Sequence, residues 1–371
     1  MTERLRIVVA GMLAGVPHHG GATWAVLQYV LGLRRLGHEV LFVEEAAEVT
    51  PEATRYFEDI TRRFDLADTA ALLRSGSRET VGLPYEEIRR KAGRADLLLN
   101  LSGVLRDPEL LLTIPVRAYV DLDPAFTQVW AEQGIDLAFE WHTQFVTVGL
   151  EVGSPGCAVP TCDLEWITTL PPVVLERWPA ANGIRLDAFT TVANWRSYGS
   201  IEWDGVLLGQ KAHSLREIVG LPDRTGEEFR PALAIDPGER LDLGELGVHG
   251  WCVVDPAEVA ATPDVYAAFV RGSRAELGVA KSGYVVSGSG WFSERSACYL
   301  ASGRPVVAQD TGFSRHLPTG EGLLAFGTEE EAARAVRDVR ERYDAHARRA
   351  RGLAEEHFDS DRVLGRLLEA L

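Results

Sequence analysis

The chain has 371 residues, 46% of them hydrophobic, too many for one ordinary core and suited to two domains of roughly 150 to 200 residues. Its 38 basic and 54 acidic residues leave a net charge of -16 at pH 7, which argues against the basic clusters of a nucleic-acid or anionic-membrane surface and for a small-molecule partner. Four scattered cysteines exclude a disulfide framework, and only Lys91, Lys211 and Lys281 are lysines.

In chain order, residues 5–10 read as a short apolar strand ending in glycines, followed by a helical pattern over 22–36, stopped by Gly37, and a strand over 39–44. That series opens a parallel α/β sheet. Runs at 96–101, 116–122 and 145–150 continue the alternation. The apolar run 7–16 breaks at Pro17-His18-His19-Gly20-Gly21, without a cleavage site or the length of a membrane span, so a cytoplasmic protein is expected. Cys157 and Cys162 form a C-x4-C pair with no second pair and only His142 nearby, so buried free thiols are expected and no metal site.

Between Gly153 and Gly183 a run of prolines breaks every periodicity, which places the crossing between domains near residues 178–185. The alternation restarts with a strand at 189–193, a helical stretch at 210–219, strands at 232–235 and 251–254, and a helix over 263–276. Then 284–287 reads as a strand, 288–292 as a glycine loop, Ser293 as the N-cap of a helix to Ser302, and 306–310 as a further strand. Thr328 and Glu331 fit a capping box, and a last helix over 360–371 sets Val363, Leu364, Leu367 and Leu368 on one face. The fold class is α/β: two doubly wound, Rossmann-like domains, 1–180 and 181–355, with 356–371 as a terminal helix packing back on the first.

The glycine loop has two readings beyond a plain turn. A loop that enters a helix offers free N–H groups and a helix dipole to a phosphate. As a dinucleotide fingerprint, Gly288-x-Gly290-x-x-Ser293 comes near G-x-G-x-x-G/A, with Asp310 where a ribose-binding carboxylate belongs, so an NAD-dependent dehydrogenase competes.

The second reading comes from Ala301-Ser-Gly-Arg-Pro-Val-Val-Ala308, Gly312 and Gly320-Glu-Gly-Leu-Leu324, together with Gly20-Gly21-Ala-Thr-Trp24 and Arg34-Arg-Leu-Gly-His-Glu-Val40 near the start. These segments resemble GT-B glycosyltransferases of the glycosyltransferase 4 type. The resemblance implies a nucleotide-diphosphate sugar in a cleft between the domains, an enzyme without a required metal or cofactor, and a small-molecule acceptor on the first domain; the arginine-rich, lysine-poor composition separately points to a bacterial source. It makes Arg196 and Lys211 the basic pair for the diphosphate, where leaving-group charge develops. Backbone N–H groups of the Gly288–Gly290 loop, Trp291, Phe292 and Ser293 complete the cradle, and Gly20 and Gly21 approach from the other domain. A solvated surface pair remains the alternative for Arg196 and Lys211.

One departure stands out. The family's two glutamates fall on Gly290 and Cys298, and Glu294, whose bland role is to cap its helix, is the only carboxylate in the segment. For acid/base work the candidates are Asp123 and His142, beside sheet ends, with Asp121, His18 and His19 toward an acceptor. Each has a plain structural alternative: a turn former, a hydrogen-bonded core histidine, a solvated loop. A non-catalytic sugar-nucleotide-binding protein, and an epimerase on the same fold, stay open beside the transferase.

Overall fold

The first apolar run folds as β1 (Arg6–Ala10), and the Gly20–Arg35 helix returns the chain to β2 (Glu39–Ala46) in parallel beside it. The computed structural model describes residues 4–371. β3 (Ala70–Arg74), β4 (Thr80–Gly82), β5 (Leu97–Leu101), β6 (Val116–Asp121), β7 (Gln144–Thr147) and β8 (Trp166–Thr168) complete an eight-stranded sheet. Its order is β4-β3-β2-β1-β5-β6-β7-β8, parallel except where β4 runs against β3. Strands such as β5, Leu-Leu-Leu-Asn-Leu, are buried along their whole length because helices cover both faces. Strand order reverses between β1 and β5, which opens a crevice at their carboxyl ends.

The second sheet is built from β9 (Leu186–Asn194), β12 (Phe229–Ala234), β13 (Ser273–Gly278), β14 (Val306–Gln309) and β15 (Leu323–Phe326), in the order β12-β9-β13-β14-β15, all parallel. A small hairpin, β10 (Ile201–Trp203) and β11 (Val206–Leu208), stands apart from it. The carboxyl ends of the two sheets face each other across a cleft. Both sheets are doubly wound α/β layers.

Trp178 is fully buried where the halves meet, its ring centroid 5.2 Å from that of Trp24 and 6.1 Å from that of Tyr266. The Ser360–Ala370 helix lies on the Gly20–Arg35 helix, with Val363, Leu364 and Leu367 buried. A Cβ on Gly32 would come within 2.6 Å of Leu364, and Arg35 pairs with Asp361 at 2.9 Å. Burial of each of the three aliphatic side chains stabilises this closure by roughly 1.5–3 kcal/mol.

Four expectations need correction. Residues 284–287 are not a strand but the end of the Ser282–Ser287 helix, which Gly288 closes in the left-handed conformation at φ 61°. The helix expected over 263–276 stops at Gly272, and its last residues are instead the central strand β13. Parallel partners on both sides override the helical character of Ser-Arg-Ala-Glu-Leu. The segment 251–254 makes only a single bridge, Val254 to Ala232. All four cysteines are free, yet Cys252 is exposed and only Cys298 is buried.

Candidate active site

A cavity of about 690 Å³ lies in the cleft. Its floor is the carboxyl ends of β9 and β12, around Val192–Asn194 and Leu233–Ala234; residues 17–22 form the facing wall, and Lys211, Glu294 and Arg295 close one side. Gly20 sets how near the halves come. Its N–H donates to Ala260 O at 2.7 Å, and a Cβ there would lie 2.3 Å from Thr262 O. Only glycine admits that approach.

Lys211 opens the Lys211–Arg216 helix and has no hydrogen-bond or ion-pair partner among the described residues; its ammonium lies 5.4 Å from the Trp291 ring centroid. Burial, with repulsion from Arg295 and Lys281, pushes its pKa down to about 7. Such a cation lacks an anion. Arg295 sits in the first turn of the Glu294–Ala301 helix, which Ser293 caps by accepting from Arg295 N at 3.2 Å. Burial opposes the Arg295 charge, but Glu276, 2.5 Å away, holds the guanidinium protonated, and Arg295 also donates to Val192 O at 3.0 Å. Beside this cavity is a second one of about 340 Å³, on the side of the first sheet. Glu294 lines both, and its carboxylate has no partner among the described residues.

Of the residues expected here, Lys211, Gly20, Gly21, His18 and His19 line the larger cavity. His18 turns to Glu52 at 3.0 Å, while His19 is exposed at the helix start. Arg196 is not brought in: it pairs with Glu239 at 2.5 Å beyond the end of β9, while Arg295 lines the cavity. The loop is not an open amide cradle either. Gly288 N, Gly290 N and Trp291 N donate to Val285 O, Thr311 O and Ser289 Oγ. Trp291 and Phe292 line the smaller cavity, and Ser293 caps its helix.

The acid/base candidates are engaged elsewhere. Asp121 is fully buried and accepts from Thr127 at 2.6 Å, Gln128 at 2.8 Å, Thr147 at 2.7 Å and Asp123 N at 2.9 Å. Asp123 crosses to the second half, accepting from Lys281 Nζ at 2.8 Å, Tyr198 OH at 2.5 Å and Tyr284 OH. His142 donates from Nδ1 to Ala138 O at 2.8 Å and accepts at Nε2 from Asn100 Nδ2 at 3.1 Å, and burial lowers its pKa. It is a core histidine. None of the three reaches either cavity.

The two glutamate positions are closed to carboxylates. Gly290 has φ 72°, and a Cβ there would lie 2.6 Å from Glu151 N. Cys298 is buried, with Gln28 Nε2 at 3.7 Å from its sulfur. The dinucleotide reading fails on geometry as well. Its first glycine ends a helix instead of following a strand, and Asp310 is engaged by Gly312 N and Ser314 Oγ. Sequence reasoning missed Arg295 and Tyr29; the one available signal was an arginine just ahead of the apolar run Ala297-Cys298-Tyr299-Leu300.

Among the described residues no group of three or more metal-ligating side chains is found, and no helix is long and apolar enough to cross a membrane. No family model matches the chain, and no curated protein matches it in sequence. Solved structures match it along nearly its full length. AviGT4, a glycosyltransferase involved in avilamycin A biosynthesis, is 14% identical with a TM-score of 0.59, over 98% of this chain and 96% of that one. Anabaena HepE in complex with UDP and glucose is 12% identical with a TM-score of 0.60, over 99% and 100%. An alpha-glucosyltransferase in complex with UDP-glucose and DNA containing an abasic site is 11% identical with a TM-score of 0.63, over 99% of each. The chain has the GT-B fold, two facing Rossmann-like halves with a cavity between them.

Proposed function

We propose that this chain is a glycosyltransferase that moves a sugar from a nucleoside-diphosphate sugar to the hydroxyl of a small molecule, without a required metal. The observation that carries this reading is Lys211, an unpaired cation held in the cleft beside Arg295. A diphosphate leaving group supplies the missing anion, and both cations stabilise the charge it gains as the glycosidic bond breaks. The carboxyl ends of β9 and β12 hold the nucleoside, and Gly20 and Gly21 close over it. Residues 1–180 then serve the acceptor, 181–355 the donor, and 356–371 tie the two together.

Glu294, between the cavities, is assigned the proton of the acceptor hydroxyl, a role that Asp123 and His142 cannot reach. An acceptor on nucleic acid, a class raised by the relative solved in complex with DNA, is disfavoured by the net charge of -16. Four unpaired cysteines agree with a cytoplasmic setting.

Thermal shifts against UDP, GDP, ADP, dTDP and NAD test the reading, since a bound ligand raises the unfolding temperature. One nucleoside diphosphate should stabilise, with or without EDTA. Stabilisation by NAD alone overturns it. A second reading, binding without turnover, is favoured by the exclusion of a carboxylate at Gly290. Hydrolysis of the matching sugar donor separates the two.

A further inference from the structure

The smaller cavity has a chemistry of its own. Most of its wall is apolar, with Met12, Val26, Leu101, Val148, Pro171 and Trp291 among it. A sugar or a nucleotide placed there would lose water and find almost nothing to bond. Its volume, about 340 Å³, falls at the small end of pockets that hold compact organic molecules.

Four polar residues, Tyr29, Glu294, Gln28 and Ser102, interrupt the apolar wall. Tyr29 is 3% exposed, and its hydroxyl is buried without a hydrogen-bond partner. Buried hydroxyls are normally bonded, so this one lacks an oxygen. Burial and the nearby Glu294 charge both raise its pKa, so it keeps its proton and donates. The second group is the Glu294 carboxylate, at the border with the donor cavity. The Gln28 amide does not compete, because its oxygen accepts from Val174 N at 2.7 Å and its nitrogen faces the Cys298 sulfur.

We infer that this cavity receives the acceptor, and that the acceptor is a compact apolar alcohol or phenol rather than a sugar; the acceptor role rests on the transferase reading above. Its carbon body lies among the side chains of the first half and Trp291. One oxygen accepts from Tyr29, and the reacting hydroxyl meets Glu294. That oxygen forms the new bond to the anomeric carbon as the bond from this carbon to the diphosphate oxygen breaks. The electron pair leaves with the nucleoside diphosphate, and the hydroxyl proton passes to Glu294.

The test uses the full chain with 2-naphthol and maltose as probes in calorimetric titrations, alongside the nucleoside diphosphates. Ala25 lines this cavity and not the larger one, so Ala25→Phe fills it while leaving the donor side open. Naphthol should bind saturably, at least tenfold more weakly in Ala25→Phe and three- to tenfold more weakly in the near-isosteric Tyr29→Phe, with nucleotide affinity unchanged in both. Maltose binding in preference to naphthol, or naphthol affinity untouched by both substitutions, overturns the inference. If naphthol behaves as expected but none of the nucleoside diphosphates binds, the transferase reading falls and the acceptor role with it, while the apolar-alcohol site stands.

Discussion

Lys281 and Asp123 join the two halves of the molecule through a 2.8 Å ion pair, with the Lys281 ammonium also 4.3 Å from the Tyr198 ring centroid and 4.9 Å from that of Phe126. Lys281 is 8% exposed, so removing the carboxylate strands a cation in a low-dielectric box. Asp123→Asn should lower stability by about 2 kcal/mol, less than the roughly 3–5 kcal/mol of a fully buried pair because the carboxylate keeps some water. Urea unfolding measures this. Nucleotide affinity should stay within about twofold of the parent, as the pair lies outside the donor cavity. Loss of transfer at unchanged stability would return Asp123 to the catalytic role its position at the end of β6 suggests.

If Lys211 holds the diphosphate as proposed, nucleotide binding should depend on pH. With its pKa lowered to about 7, the free protein has lost this proton in large part by pH 8, and a diphosphate must bring it back. Affinity should therefore fall between pH 7 and 9, by up to about tenfold per unit, with uptake of a proton seen in buffers of different ionisation enthalpy. Lys211→Met should abolish the slope. It should also stabilise the free protein by about 1 kcal/mol, because an unpaired, partly buried cation is held for function. The sign follows from the direction of the shift: a depressed lysine pKa costs stability below pH 7, and the cost fades as pH rises toward 10.4.

Restoring the carboxylate that the related pattern carries at Gly290 should do harm. A side chain there meets Glu151 N at 2.6 Å and must adopt φ 72°. Gly290→Glu is expected to cost about 3 kcal/mol or more, or to part the loop from residues 149–151. Gly290→Ala, with the same Cβ and no charge, should show most of the effect. A large loss in Glu alone would point to electrostatics instead of the backbone contact.

The alternation of strands and helices was readable because both sheets bury apolar runs on two faces, and the capping residues Ser293 and Thr328 act as their types require. What misled was local preference. Tyr284-Val-Val reads as strand, yet Gly288 closes it as a short helix, and Ser273–Gly278 reads as helix, yet it is clamped between β9 and β14. At the site, Lys211 was legible as a rare lysine. Asp123 and His142 were placed correctly at sheet ends, but their partners come from distant segments, Lys281 and Asn100, which spacing alone does not reveal. For the same reason nothing local showed that the Glu294–Ala301 helix aims its first turn at two cavities.

That first turn decides between capping and catalysis for Glu294. Its helix already has a side-chain cap in Ser293, so Glu294 adds only a dipole interaction of about 0.3–1 kcal/mol. Glu294→Gln keeps size and hydrogen bonding and removes the charge. If the carboxylate takes the acceptor proton, kcat should drop about 10²–10⁴-fold. Donor affinity should hold or improve, because the substitution removes a negative charge beside Lys211 and Arg295, the pair proposed to hold the diphosphate. A capping role alone predicts a small loss of stability, with kcat unchanged. Measuring kcat, donor KM and unfolding on the same variant separates the two, since only a base moves kcat, while the lost dipole interaction lowers stability slightly in either case.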